Sequence, residues 1–481
     1  MDPAAPDHPA PTPAPVPSAD PSAVPGLKSL SITPRVGLVL LLLINLFNYI
    51  DRSIMSAVLP TVQEEFYPGS TGLGAAKTAA SEHANANMGL LATAFLVSYM
   101  CAAPIFGFFA SRWSRWWIVG LGVALWSLAS GGSGLANSFG LLLLMRILVG
   151  VGEAAYGPVA PTLISDMYPL ERRGTVMAWF YMAIPVGSAL GYAFGGQFAS
   201  PDRWHWAFLA TVPPGILLAV WCCFMRDPRS AAKSGIGAPA ALKPAAVTPA
   251  PGGRTAPAAH GWPAYREFLT NPSWILCTLG MTALTFAIGG ISFWMPSYVA
   301  IDRFHADTNT LEGQATVARV NLTFGLITVV CGITATLVGG YLADHLRTRI
   351  RGAYLVVSGI AMIIGFPLFV AMLYTPFPAA WFFLGASVFF LFLNTGPSNT
   401  VLANVTHPRI RAQAFAVNIL IIHALGDAIS PYFIGVMTDR FHSRNGAFVL
   451  VAVVVLLGGV LWLWGSRYVD RDTARIAALP Q

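Results

Sequence analysis

"VGLVLLLLINLFNYIDRSIMSAVLP", residues 36–60, is the stretch that decides the fold. It begins with nine apolar residues, and the whole stretch is long enough to cross ~30 Å of hydrocarbon as an α-helix. Four polar residues interrupt it: Asn45, Asn48, Asp51 and Arg52. A charged side chain at the centre of a membrane helix costs about 2.5–3.5 kcal/mol, so Asp51 and Arg52 must face charged partners or water. The stretch therefore predicts a membrane helix that does more than anchor the chain.

The composition of the whole chain is typical of a multi-pass membrane protein. Apolar residues make up 55% of the 481, and only 10% are charged. A soluble protein of this length could not bury so much apolar surface. Twelve apolar runs are long enough to span the membrane. They are centred on residues 36–59, 88–110, 116–136, 138–165, 174–199, 205–225, 273–300, 317–343, 352–374, 380–404, 413–437 and 446–466. The sequence thus predicts an all-α polytopic membrane protein with twelve transmembrane helices.

The basic residues predict how the chain is oriented. If the N-terminus lies in the cytoplasm, 20 of the 28 Lys and Arg fall in inner loops and tails, and 6 fall in outer loops. This is the positive-inside bias, so we expect both termini to be cytoplasmic, and the host to be the cell membrane if the source is bacterial. The net charge of +7 follows from topology, and we expect no nucleic-acid partner.

The spans divide into two halves. Residues 36–225 and 273–467 are each expected to form a six-helix bundle, joined by a cytoplasmic linker at 226–272. The linker is rich in Pro, Ala and Gly, which predicts a flexible segment. Residues 1–35 are predicted to be a disordered tail without a signal peptide, and 468–481 a cytoplasmic C-terminal tail.

The two halves repeat one another in sequence. "GFFASRWSRW" (107–116) follows the second predicted span, and "GGYLADHLRTR" (339–349) follows the eighth. Duplicated six-helix halves predict a secondary transporter with its substrate site between the halves, near the middle of the membrane.

The second of these loops resembles the Gly-x-x-x-Asp-x-x-x-x-Arg motif of the major facilitator superfamily. Four further segments resemble the Spinster transporters of that superfamily: "INLFNYIDR" (44–52), "RILVGVGEAAYGPVAPTLISD" (146–166), "FYMAIPVGSALGY" (180–192) and "HALGDAISPYFIG" (423–435). The resemblance implies the major facilitator fold, with twelve transmembrane helices in two six-helix pseudo-repeats. It also implies that a lipid or lipid-like amphiphile, such as a sphingoid base or a lysophospholipid, is the substrate.

The same resemblance implies a gating role for the loop that contains Asp344, with Arg112 in the corresponding N-terminal loop. In that loop Ser111 stands where the family has an acid. Asp344 is therefore expected to carry the charged gating contact alone.

Charges deep in the predicted spans are the candidate site. Helical rise places Asp51 ~6 Å and Arg146 ~8 Å outside the midplane, and Glu153 ~3 Å inside it. Arg146 and Glu153 are seven residues apart and share a helix face. We therefore predict a breakable ion pair between Asp51 and Arg146, and a proton-coupling role for Glu153, which has no base in its own turn. The alternative is a static ion pair that holds two helices together.

Three other deep residues leave more than one interpretation open. Arg52 either joins this cluster or points outward to the headgroup level or the opposite half. His423 and Asp427, four residues apart, form either a second titrating pair or a structural hydrogen bond.

Small residues predict where helices pack closely. Gly187, Gly191 and Gly195 recur at four-residue spacing in one predicted span, which favours close helix packing.

No sequence motif indicates an enzyme. There is no phosphate-binding loop of the Walker type, no metal-ligand spacing and no nucleophile elbow, so we expect neither catalysis nor a cofactor. The sequence instead predicts a monomeric, proton-coupled transporter that moves a lipid-like amphiphile by alternating access within membrane lipid. One alternative is proton-coupled transport of a small organic ion or drug. Another is a membrane scaffold or receptor that has lost transport, although the deep charges argue against it.

Overall fold

The chain folds into helices throughout the residues that the structure describes. The structure is a computed structural model that describes residues 34–71, 82–229 and 262–479. The predicted all-α membrane fold is confirmed, with a modified number of spans. Most of the predicted N-terminal tail and the linker residues 230–261 lie outside the described residues, so their predicted flexibility stays a prediction.

The N-terminal half is a bundle of long and short helices. Its helices are α1 (Pro34–Phe66), α2 (Ala84–Ala110), α3 (Arg115–Gly134), α4 (Phe139–Ala154), α5 (Ala160–Met167), α6 (Leu170–Gly196), α7 (Trp204–Leu209) and α8 (Val212–Cys223).

The C-terminal half repeats this arrangement. Its helices are α9 (Trp262–Leu269), α10 (Pro272–Ser297), α11 (Leu311–Leu346), α12 (Ala353–Tyr374), α13 (Ala379–Phe392), α14 (Thr395–Asn404), α15 (Arg411–Ile422), α16 (Ser430–Phe441) and α17 (Arg444–Ala477). Two π-helical segments, Tyr298–Arg303 and His423–Asp427, continue α10 and join α15 to α16.

The predicted count of twelve spans is not matched exactly. Among the described residues, eleven helices are long and apolar enough to cross a membrane. The predicted span at 138–165 is instead the broken pair α4 and α5, separated by a turn at 155–159. Pro158 and Pro161 have no amide proton to donate to a helical hydrogen bond, and this explains why the helix stops and restarts here.

Two other boundaries differ from the sequence-based expectation. α9 occupies part of the stretch that we predicted to be linker, and Asn271 caps the following helix by accepting hydrogen bonds from the amides of Ser273 and Trp274. The last helix continues to Ala477, through most of the predicted C-terminal tail. Asp472 explains this extension, because its buried carboxylate accepts a 2.6 Å hydrogen bond from the hydroxyl of Ser273 and fixes the helix to the start of α10.

The predicted glycine packing is present. α6 lies against α1, and a Cβ atom on Gly187 or Gly191 would meet the carbonyl oxygens of Leu46 and Ile50 at 2.6 and 2.4 Å. The two halves approach each other just as closely where α2 crosses α16. There a Cβ atom on Gly89 would lie 2.3 Å from the Pro431 carbonyl oxygen. Only glycine permits these helix crossings.

The halves are bonded together at one end of the bundle. This closed end contains the end of α1 and the start of α2, where Asp439 accepts hydrogen bonds from the amides of Asn85 and Ala86. Arg444 donates from the C-terminal half to Gln63 and Asn85. Nearer the middle of the bundle, the hydroxyls of Thr93 and Tyr192 donate to the carbonyls of Ala428 and Ser292 in the other half. The opposite end, which contains the starts of α1 and α15, has no such bond among the described residues and is the open end.

The tight crossing at the closed end can be tested with a glycine pair on one helix. Gly89→Val is expected to force α2 away from α16 at a cost of about 1–3 kcal/mol, because its side chain would overlap the backbone of α16. Spin labels at positions 83 and 440, which both line a cavity at this end, should then move apart. Gly107→Val is the matched control, since a Cβ atom there meets no atom within 4 Å. Equal label distances in both variants would contradict the crossing.

Candidate functional site

An ion pair between α1 and α4 forms the centre of the candidate site. The Arg52 Nε donates a 2.6 Å hydrogen bond to the Glu153 Oε2. The side chain of Glu153 is fully buried, whereas 25% of the Arg52 side chain is exposed. This resolves the two interpretations of Arg52: it joins the cluster of deep charges. Glu153 has no base in its own turn, as expected, but it has a basic partner on another helix.

Aromatic rings surround the arginine of this pair. The Arg52 guanidinium carbon lies 5.1 Å from the ring centroid of Tyr49, 5.0 Å from that of Phe95 and 5.4 Å from that of Tyr99. Cation–π attraction of this kind stabilises a guanidinium away from bulk water. The Phe95 ring also lies 5.3 Å from the Arg146 guanidinium carbon. Phe95 therefore contacts both membrane-embedded arginines.

The predicted ion pair between Asp51 and Arg146 is not formed. No nitrogen–oxygen approach within 4.0 Å joins these two described residues. Asp51 instead accepts a short hydrogen bond from Ser130 on α3, and its Oδ2 is buried without a hydrogen-bond partner. The Nε and Nη1 of Arg146 are likewise buried without partners. Adjacent residues on a helix differ by about 100° in direction, so Arg52 rather than Asp51 faces α4.

The cluster is electrically balanced when all its members are ionised. Asp51 and Glu153 contribute two negative charges, and Arg52 and Arg146 contribute two positive charges. Without Arg52, the other three members would carry a net negative charge. In the structure, protonation of either acid leaves a net positive charge in the protein interior. That change favours the binding of an anion.

A cavity of about 310 Å³ between the two halves adjoins this cluster. We call it the central cavity. Its charged lining consists of Arg52 and Arg146 from the N-terminal half and Asp427 from the C-terminal half. Most of its remaining wall is apolar and includes Met55, Ala92, Leu96, Ile184, Pro185, Ile288, Phe293 and Phe392. An amphiphilic ligand with a charged head matches this combination of lining groups.

His423 and Asp427 are in contact, as their spacing predicted. The Nδ1 of His423 lies 2.9 Å from the Asp427 Oδ2. They belong to a π-helical turn rather than to the regular helix that we expected. π-helical turns are frequent at functional sites. A Cβ atom on Gly289 would lie 2.6 Å from the Cβ of Asp427, so the turn packs tightly on α10. Whether this pair titrates in the transport cycle stays a prediction.

The two loop residues of the gating motif lie at the open end, within their own halves. Asp344 accepts a 2.6 Å hydrogen bond from the hydroxyl of Tyr354, at the start of the next helix. Arg112 stacks on the ring of Phe108, with 3.6 Å between the guanidinium carbon and the ring centroid. It also hydrogen-bonds Ser111, the residue that replaces the family acid. The gating role of both residues stays a prediction.

A charge cluster at the open end was not predicted from the sequence. Arg115 pairs with Asp166 at 2.6 Å and with Asp227 at 2.8 Å, and Arg229 also binds Asp227. Burial alone would raise the pKa of Asp227, but hydrogen bonds from the two arginines outweigh it and hold this pKa well below its ordinary value. These bonds connect the starts of α3 and the linker to α5. The only local signal was Arg115 at a predicted helix start.

None of these clusters resembles a metal centre. Among the described residues, no group of three or more His, Cys, Asp and Glu side chains could hold a metal ion. The candidate site is therefore built from ion pairs, aromatic rings and the central cavity.

In sequence, the chain resembles known transporters over most of its length. The family model of the Major Facilitator Superfamily matches residues 41–431. Protein spinster homolog 1 of Homo sapiens is 32% identical over 454 residues, which cover 90% of this chain and 80% of the human protein. Protein spinster of Drosophila melanogaster is 33% identical over 408 residues, which cover 82% of this chain and 60% of that protein.

In fold, the chain resembles solved transporter structures. One is a bacterial homologue of the human lysosomal transporter Spinster in an inward-facing and unoccupied conformation. Its TM-score is 0.73 at 22% identity, with 91% of this chain and 98% of that chain covered. A D-xylose-proton symporter gives a TM-score of 0.65 at 15% identity, with 88% and 96% covered. These likenesses show the major facilitator fold.

The electrostatic balance of the cluster can be tested by a double-mutant cycle. Arg146→Gln is expected to lower the free energy of unfolding by roughly 3 kcal/mol or more, because it leaves the buried Asp51 without a compensating charge. Asp51→Asn in the same chain should restore most of that loss, since it removes the uncompensated charge. Thermal unfolding of the four proteins in detergent measures the coupling. Strictly additive losses would show that Asp51 and Arg146 do not balance each other.

Proposed function

The chain belongs to the Spinster family of the major facilitator superfamily, and we propose that it is a proton-coupled transporter of a lipid-like amphiphile. It is a multi-pass membrane transporter and not an enzyme. The observation that carries the proposal is the Arg52–Glu153 ion pair at the edge of the central cavity. One arginine there is shared between a buried acid, which can bind a proton, and a cavity, which can hold an anionic head group.

Competition for Arg52 supplies the coupling between proton and substrate. When Glu153 is ionised, its carboxylate occupies the Arg52 guanidinium. When Glu153 binds a proton, the ion pair loses its charge attraction, and Arg52 becomes available to a phosphate or carboxylate on the substrate. Binding of such an anion conversely favours protonation of Glu153. Each event thus raises the affinity for the other, as coupled binding requires.

Arg146 provides the second anchor for an anionic head group. Its Nε and Nη1 are buried donors without hydrogen-bond partners, and the residue lines the central cavity. A head group between Arg52 and Arg146 would satisfy these donors. The apolar wall of the cavity supports the assignment of a hydrocarbon tail to the same ligand.

Alternating access follows from the two ends of the bundle. On the basis of the positive-inside bias, we place the open end in the cytoplasm and the closed end outside. Transport then requires the hydrogen bonds of Asp439 and Arg444 across the closed end to break while the open end closes. In this scheme Asp344 acts at the open end, where the loop of α11 meets the opposite half.

A small organic ion is the second candidate substrate. The central cavity of about 310 Å³ is at the lower limit of ligand pockets, which are roughly 300–1,000 Å³ in size. A long tail would therefore have to extend out of the cavity, along the apolar surfaces of the helices. A small ion would fit entirely inside.

Chain length separates the two substrates. A long-chain lysophospholipid is expected to raise the melting temperature of the purified protein, whereas a short-chain analogue with the same head group should not at equal concentration. The reason is that each buried methylene contributes about 0.8 kcal/mol to binding. Phe293→Ala, in the cavity wall, should reduce this shift, and Phe382→Ala, on an exposed surface, is the matched control. Equal shifts from both lipids would favour the small ion.

Proton coupling can be tested on the acid of the ion pair. In proteoliposomes, Glu153→Gln is expected to abolish lysophospholipid transport driven by a pH gradient while lysophospholipid exchange at equal pH continues. The amide keeps the shape of the side chain but cannot gain or lose a proton. Glu312→Gln, an exposed acid on α11, is the matched control. Normal pH-driven transport by the Glu153→Gln variant would show that Glu153 is only a packing residue.

A further inference from the structure

A second cavity lies inside the N-terminal half, where the helix of the fourth predicted span is broken. We call it the break cavity. Its volume is about 150 Å³, and its lining includes Asn45, Asn48, Glu153, Tyr156, Gly157 and Pro161. The turn at 155–159 contributes Tyr156 and Gly157 to its wall. A Cβ atom on Gly157 would lie 2.0 Å from the Tyr99 hydroxyl oxygen, so a larger residue would intrude on the cavity wall.

The break cavity and the central cavity meet at one wall. Tyr49, Arg52 and Ile184 line both of them. On α1, which runs from the open end to the closed end, the break cavity contacts residues before this wall, such as Asn48. The central cavity contacts residues after it, such as Ser53. Arg52 therefore separates a cavity nearer the open end from the cavity between the halves.

Polar groups without protein partners line the break cavity. The Oε1 of Glu153 and the Nδ2 of Asn48 are buried and have no hydrogen-bond partner in the structure. Glu153 and Asn48 are 1% and 3% exposed. Buried polar atoms in a polar cavity of this size are typical positions for ordered water. Glu153 thus presents one carboxylate oxygen to Arg52 and the other to the break cavity, where the Asn48 side chain also acts on the carboxylate.

We propose that the break cavity is the proton-access compartment of Glu153, separate from the cavity that receives the substrate. The inference rests on the proposed proton-coupled function and adds the route by which the proton arrives. A proton passes from water in the break cavity to the Oε1 of Glu153, which becomes a neutral carboxylic acid and releases Arg52. Substrate binds Arg52 from the central cavity. Proton and substrate thus reach the ion pair from opposite sides, and neither needs to leave for the other to enter.

The charged and titratable groups around Glu153 and the break cavity come from four helices and one turn. They are Tyr49, Asp51 and Arg52 on α1, Tyr99 on α2, Arg146 on α4, Tyr156 in the turn at 155–159 and Tyr181 on α6. The C-terminal half contributes no lining residue to the break cavity within the described part of the chain, although Asp427 acts electrostatically on Tyr49 in the shared wall.

A pH jump with infrared detection tests the separate route. The intact protein is measured in detergent. The infrared band of the protonated Glu153 side chain is identified as the carboxylic-acid band that the Glu153→Gln variant lacks. We expect that a saturating long-chain lysophospholipid does not slow the appearance of this band, because the proton does not enter through the cavity that the lipid fills. Asn48→Leu, which places an apolar side chain in the break cavity, should slow it by about tenfold or more. Ser188→Leu, which alters only the central cavity, should weaken lysophospholipid binding and leave this rate unchanged.

Three results would overturn the inference. If bound lysophospholipid blocks protonation, or if Ser188→Leu slows it while Asn48→Leu does not, the proton enters through the central cavity. The lysophospholipid comparison uses the unmodified chain, so it stands even if Asn48→Leu does not fold. If the band never appears over the pH range in which transport responds, Glu153 is not the proton carrier. That last result would reject the proposed function as well, whereas the first two would leave it intact.

Discussion

The ion pair between Arg52 and Glu153 is the interaction on which the rest of the site depends. It joins α1 to α4 at the point where α4 ends, one residue after Glu153. A buried carboxylate is stable in the ionised form only beside a compensating charge, so Glu153 fixes Arg52 in place. The aromatic rings of Tyr49, Phe95 and Tyr99 then hold the guanidinium at the edge of the central cavity. The charge balance of the cluster depends on this pair, and its arginine lies in the wall that the two cavities share.

The same arrangement distributes the functions of the two halves. The N-terminal half contains both arginines, both acids of the cluster and the break cavity. The C-terminal half contributes Asp427 and much of the apolar wall of the central cavity. At the closed end, Asp439 and Arg444 reach across to the opposite half and hold the bundle shut. Charge chemistry is thus concentrated in one half, and the hydrogen bonds that must break during transport lie at the boundary.

Sequence reasoning identified the membrane class, the duplicated halves and the deep charges, because each depends on local composition or helical spacing. It failed where a contact depends on the rotation of one helix against another. The helical rise per residue placed Asp51 and Arg146 at a similar depth in the membrane. Only the tertiary structure shows that Arg52 contacts Glu153 and that Asp51 contacts Ser130. Pro158 and Pro161 were a sequence signal for the helix break, since two prolines three residues apart remove two amide donors from one turn, although α1 and α2 continue through the single prolines Pro60 and Pro104. The ion pairs of Asp227 could not be predicted from the sequence. One partner, Arg229, is close in the chain, but the other, Arg115, is more than a hundred residues away.

The most direct test of the proposed coupling is an experimental structure with a bound long-chain lysophospholipid at acidic pH. The quantity to measure is the distance between the Arg52 guanidinium and the Glu153 carboxyl group, which is 2.6 Å between the Nε and Oε2 atoms in the present structure. We expect this contact to be broken and the phosphate of the lipid to take its place on Arg52. An intact ion pair with the lipid bound elsewhere would contradict it.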